Sequence, residues 1–111
     1  MRTWIAEEDV VFVLEDGPRT PGNIAVGLPV KRESDCACEV MIGPMDIHTI
    51  YGDTTMQALL LATRFLGTRL QHFLSRGGRV VFPPDGFTQE DEDIPLREIF
   101  GVLLGPADED A

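Results

Sequence analysis

Cys36-Ala37-Cys38 is the one arrangement in this 111-residue chain that sets two soft ligands side by side. Residues i and i+2 of a strand share a face, so two thiolates there could hold a soft metal, with His48 as a third ligand. A structural zinc site usually takes four ligands, with two to four residues between paired cysteines. The spacing here is one residue, and the remaining histidine, His72, falls on the solvent side of a helix. Free cysteine is also among the most buried side chains. Cys36 and Cys38 therefore read as core residues beside Val40 and Ile42. A metal or redox protein using Cys36, Cys38 and His48 is the alternative, and no metal or other cofactor is expected.

No other motif carries chemistry. His48 could act as a general base, but no Ser or Cys nucleophile stands in a recognisable context beside it. Gly77-Gly78 follows a helix pattern instead of preceding one, which makes it a cap and not a phosphate loop. The acidic run Glu90-Asp91-Glu92-Asp93 lacks the alternate-ligand spacing and central glycine of a calcium-binding EF-hand. Arg64, Arg69, Arg76 and Arg79 complement the helix dipole and extend their stems over apolar surface. No catalytic or cofactor-binding residue is assigned, and the chain is not expected to be an enzyme.

The formal net charge is −10, and seven acids sit in the runs 90–93 and 108–110. Nine basic residues against the twelve other acids leave the remainder at −3. Nucleic-acid binding needs a basic footprint, which is missing, and the same balance speaks against anionic membranes. A basic protein is the one partner that such a charge would steer. The N-terminus turns acidic at Glu7-Glu8-Asp9 without the apolar stretch of a secretory signal, and no window approaches the roughly 18 apolar residues of a membrane span. The chain thus reads as cytoplasmic, with reduced thiols.

The elements that would position these residues follow from hydrophobic periodicity. Residues 3–15 read as a first strand through Val10-Val11-Phe12-Val13-Leu14, ended by Gly17-Pro18. Ile24, Val26, Leu28 and Val30 alternate with Ala25, Gly27, Pro29 and Lys31, a half-buried strand in which Pro29 marks an edge or a bulge. Cys36 to Ile42 is a third strand and Ile47 to Tyr51 a short fourth, so an antiparallel meander is expected. A helix follows over about 54–76, capped by Asp53 or Thr54 and stopped at Gly77-Gly78. Met56, Leu59, Ala62, Leu66, Leu70, Phe73 and Leu74 should form its sheet-facing stripe, with Gln57, Arg64, Thr68, Gln71 and Ser75 opposite. Residues 78–82 read as a last strand. Ile94 to Leu104 reads as a short helix with Asp93 as cap and Leu96, Ile99, Phe100 and Leu103 as its stripe.

The helix start is over-apolar. Leu60, Leu61 and Phe65 leave the main stripe and need a cover, either Ile94–Leu104 of the same chain or a second chain across a two-fold axis. The expected interface residues are Leu60, Leu61, Phe65, Ile99 and Phe100.

Ile50-Tyr51-Gly52-Asp53 followed by Gln57-Ala58-Leu59-Leu60-Leu61-Ala62 resembles a family of small bacterial proteins catalogued as a domain of unknown function. The order of an N-terminal Trp4-Ile5-Ala6-Glu7 strand, a meander, this helix, a Gly-Gly and a closing strand is similar too, over about residues 3–82. The resemblance implies a bacterial, cytoplasmic α+β protein and carries no activity or site residue. The expected fold is accordingly α+β: a mostly antiparallel three- to five-stranded sheet on one long helix, with a short C-terminal helix or irregular segment. Residues 1–105 would form one domain and 106–111 an acidic disordered tail. The expected function is a non-catalytic interaction module. It would self-associate as a homodimer or bind a basic protein, in the second case as an inhibitor of the immunity-protein kind.

Overall fold

The computed structural model describes residues 3–15, 17–43, 46–83 and 92–100. Among these, the elements run β1 (Trp4–Val13), β2 (Arg19–Gly27), β3 (Val30–Lys31), β4 (Cys36–Gly43), β5 (Asp46–Gly52), α1 (Thr55–Ser75), β6 (Arg79–Val81) and α2 (Leu96–Phe100). The fold is α+β, and every strand pairing is antiparallel.

β2 and β3 both pair with β4. From Val26–Val40 to Val30–Ala37 the ladder advances four residues on one side and three on the other. The pair is therefore one strand interrupted by an extra residue at Leu28-Pro29, a bulge of the kind Pro29 tolerates. The sheet order is then β5, β4, β2 with β3, β1 and β6, a meander with β6 added beside β1. The extra residue also reverses the faces. Ile24 and Val26 are buried as the alternation requires, but Leu28 and Val30 are exposed, because the slip sends them to the other side.

One face of the sheet carries the core. Val10, Ile24, Val26, Cys36, Cys38, Val40 and Val80 pack with Ala58, Ala62, Leu66 and Leu70 of α1. Val11, Val13 and Val81 form a smaller cluster apart from it. The helix lies over β4 and β5 more than over β2.

Both ends of α1 are closed by local hydrogen bonds. Thr54 is the N-cap, its hydroxyl accepting from the Gln57 N–H at 3.0 Å, while the Gln57 side chain accepts from the Asp53 N–H. At the other end the Gly78 N–H reaches the Phe73 carbonyl and the Gly77 N–H the Leu74 carbonyl. That is the Schellman pattern, and Gly77 supplies its left-handed residue at φ 91°.

The buried line of α1 is Ala58, Ala62, Leu66 and Leu70, one residue per turn, with Gly67 also buried and Leu59 and Phe73 partly so. This turns the expected stripe. Met56 and Leu74 are exposed, not sheet-facing, because they sit in the terminal turns and on the flank of that line. Gln71 is half-buried, although Gln57, Arg64, Thr68 and Ser75 do face solvent. Phe73 stacks edge-on against Phe12 of β1 at 5.7 Å, tying the helix end to the sheet.

α2 and the residues just before it cover part of the same core through Ile94, Leu96 and Phe100. Ile99, expected in that stripe, is exposed. Asp93 does not cap α2. It bridges Val81 and pairs with Arg79 at 2.9 Å, while the Pro95 carbonyl accepts from Glu98 and Ile99. Residues 101–104, most of the acidic loop 85–93 and the 106–111 tail lie outside the described residues. No described helix is long and apolar enough to cross a membrane.

The buried line makes a direct prediction. Leu66→Ala and Leu70→Ala should each cost about 2–5 kcal/mol in denaturant melts, as buried leucine truncations do. Met56→Ala should cost under about 0.5 kcal/mol, as exposed changes do. Comparable losses at all three would mean that the helix is rotated from this description.

Candidate interaction surface

The residues singled out for chemistry lie at one side of the sheet, and their geometry is that of packing. Cys36 and Cys38 point to the helix-covered face of β4 and are almost fully buried. The Cys38 thiol donates to the Gly27 carbonyl at 3.3 Å, and Cys36 reaches the Asp53 carbonyl at 3.8 Å. Burial, reinforced by the charge of Glu39, pushes the Cys38 thiol above the ordinary cysteine range. Both cysteines are free, and no disulfide joins them. Positions i and i+2 of a strand stand roughly 7 Å apart with parallel Cβ bonds, a poor geometry for a bridge.

His48 projects from β5 on the same face and lies against Phe65 of α1, ring centroids 5.0 Å apart. Its Nε2 is buried and has no hydrogen-bond partner among the described residues. No three His, Cys, Asp or Glu side chains converge among the described residues, so Cys36, Cys38 and His48 do not assemble into a metal cage.

A groove of about 660 Å³ opens at the C-terminal end of α1, over Phe12, Ile42 and Phe73. Arg69, His72 and Arg76 stand at its rim, all exposed. Among the described residues no polar or charged residue is buried as a whole, and the His48 Nε2 is the buried side-chain polar atom without a partner.

The expected interface residues separate into distinct places. Phe100 is only 8% exposed and belongs to the core. Phe65 is half-buried between His48 and the Arg69 guanidinium, whose carbon lies 5.6 Å from the ring centre. Leu60, Leu61 and Ile99 are exposed at 51%, 37% and 57%. At about 100° per residue, Leu60 and Leu61 fall on opposite flanks of α1. Thr63 marks one flank, since it shares a cavity with Ile24–Val26, Ile99 and Phe100; Leu60 lies beyond it. Phe65 marks the other flank, against β5, and Leu61 stands one turn before it.

That second flank overlooks a feature the sequence reasoning did not isolate. β5 pairs with β4 on one side and with no strand on the other among the described residues. Its seven residues, Asp46 to Gly52, carry a single charged side chain. Ile47, Thr49 and Tyr51 are exposed on the face away from α1. A signal was available in the sequence: the last strand of a meander becomes an edge, and this one lacks the Lys and Pro that usually guard edges.

No protein-family model matches the chain, and no curated protein or solved structure matches it either.

The buried thiol predicts a pH dependence. A raised thiol pKa in the folded state contributes stability that is complete below the unfolded pKa of about 8.5 and is lost as pH rises through the folded value. The denaturant midpoint should therefore fall above about pH 8.5, and Cys38→Ala should flatten that alkaline slope while lowering stability at every pH. Equal slopes in the two proteins would assign the alkaline loss to another group.

Proposed function

We propose that this chain is a non-catalytic protein-interaction module that acts by self-association, as a homodimer. The observation that carries the reading is Leu61. It stands exposed on the helix flank that faces β5, and the outer edge of β5 pairs with no strand among the described residues. Adjoining apolar surface and open backbone groups mark a site for another protein chain.

A cytoplasmic location and kinship with the bacterial family that the helix-start motif resembles belong to the same proposal. Binding of a basic protein, including inhibition of the immunity-protein kind, is the other route by which such a module would work, and the net charge of −10 favours it. The metal or redox alternative has less support, since Cys36 and Cys38 are buried thiols turned to carbonyls.

Light scattering at tens of micromolar decides the matter. The wild type should be a dimer, and Leu61→Glu should be folded and shifted to monomer. Salt separates the two routes. Two copies of −10 repel, so self-association should tighten from 50 to 500 mM salt, whereas complex formation with a basic partner should weaken. A wild type that stays monomeric throughout refutes the homodimer.

A further inference from the structure

We infer that the occupant of the β5 edge is the same edge of a second copy, paired antiparallel about Thr49, so that two sheets join into one. This rests on the self-association reading and specifies its geometry.

The edge itself narrows the choice of partner. Backbone N–H and C=O groups along an unpaired strand are satisfied by water or by another strand, and strand addition is a common mode of protein recognition. The other open borders of the sheet are protected. β3 is two residues long, contains Lys31 and is flanked by Pro29 and Arg32. β6 is three residues long and its end is occupied by the Asp93 bridge, and the stretch of β1 that it leaves open, Trp4 to Val10, carries Glu7, Glu8 and Asp9. β5 has neither safeguard. Its one charge, Asp46, lies at the end, so the edge offers little to attract a basic strand in particular.

Hydrogen-bond geometry then limits the register. Along a strand, alternate residues direct both backbone groups to the same side. Those of β5 that face away from β4 are therefore all even-numbered or all odd-numbered. Two identical edges can pair only by opposing residues of like parity, which puts the two-fold axis through a residue and not between two. Centring on Thr49 pairs all seven residues of β5, and every other centre leaves some out.

In that register Thr49 meets Thr49, Ile47 meets Tyr51, His48 meets Ile50 and Asp46 meets Gly52. Thr–Thr and aromatic–β-branched neighbours are favourable across strands, and no two like charges are opposed. The exposed Ile47 and Tyr51 cover one another. An antiparallel join of this kind has its axis normal to the sheet, so both helices stay on one face. The Leu61 flanks of the two α1 helices then turn toward each other above the seam. The helix patch and the strand edge thus belong to one interface.

Cysteine cross-linking in the full chain tests the register. Across the axis the two position-49 Cα atoms would stand roughly 4.5–5.5 Å apart, within disulfide range. Thr49→Cys should oxidise to a covalent dimer in high yield, with the wild type as control for Cys36 and Cys38. Ile47→Cys and Tyr51→Cys should each give little dimer alone and should cross-link when mixed. Independently, hydrogen exchange on the wild type should slow in alternate β5 amides as concentration rises through the dimerisation range. A dimer by light scattering without position-49 cross-linking, or with no added β5 protection, overturns the edge pairing while leaving self-association standing. A monomer by light scattering overturns both.

Discussion

The seating of α1 on β4 and β5 through small side chains governs the rest of the molecule. Ala58 and Ala62 are completely buried and share one core with Cys38 and Val40, themselves almost without exposed surface. Small residues on a helix let its axis approach a sheet closely, and the approach is tightest where the chain enters it. A side chain at Gly52 would place its Cβ 2.7 Å from the Ala58 nitrogen. The loop from β5 to α1 is correspondingly short, and it holds the helix over the side of the sheet from which it starts. Three consequences follow from this off-centre position. The far side of the core needs Ile94, Leu96 and Phe100 as cover. The cysteines of β4 are sealed. One flank of the helix is brought above the β5 edge.

Burial also sets the state of the two cysteines. A metal or redox site needs thiolates, and thiolates need positive charge, a helix N-terminus or a metal beside them. Cys38 is instead buried beside the charge of Glu39, and both favour the protonated thiol. His48 sits between Phe65 and the seam of the proposed interface, a setting that suits shape better than proton transfer.

Much of the fold was legible because local signals agreed. Thr54, offered with Asp53 as the cap, announced the start of α1, Gly77-Gly78 its end, and Pro29 the interruption between β2 and β3. The failures are of a different physical kind. Leu28 and Val30 continued a period-2 pattern that a single extra residue turned inside out, and a bulge changes the face without changing composition. Met56 and Leu74 matched the helical period, but a periodic stripe has a direction only relative to what it packs on, and α1 lies off-centre. Asp93 looked like a cap because it preceded Pro95, yet a long-range ion pair with Arg79 and a bridge to Val81 claimed it first. The candidate surface was half legible. Excess apolar residues at 58–65 showed that a cover was required. That Leu60 and Leu61 serve opposite flanks, and that Phe100 is used up internally, depended on tertiary packing.

The edge of β5 shows how a surface can be specified by what it omits. Natural sheets protect their borders with charge, proline or brevity, since an open ladder accepts any extended chain. Here the borders at β3 and β6 carry such protection, and β5, longer than either, carries almost none. Net charge supplies the missing selectivity in part. At −10 per chain, indiscriminate association is opposed at long range, and only a contact whose own surface is nearly neutral escapes that opposition. A strand with a single charge at its end, on an acidic body, is thus suited to one close fit and guarded against many loose ones. In the proposed edge pairing Leu61 adds apolar area next to that strand, so backbone pairing and apolar burial would act on the same partner.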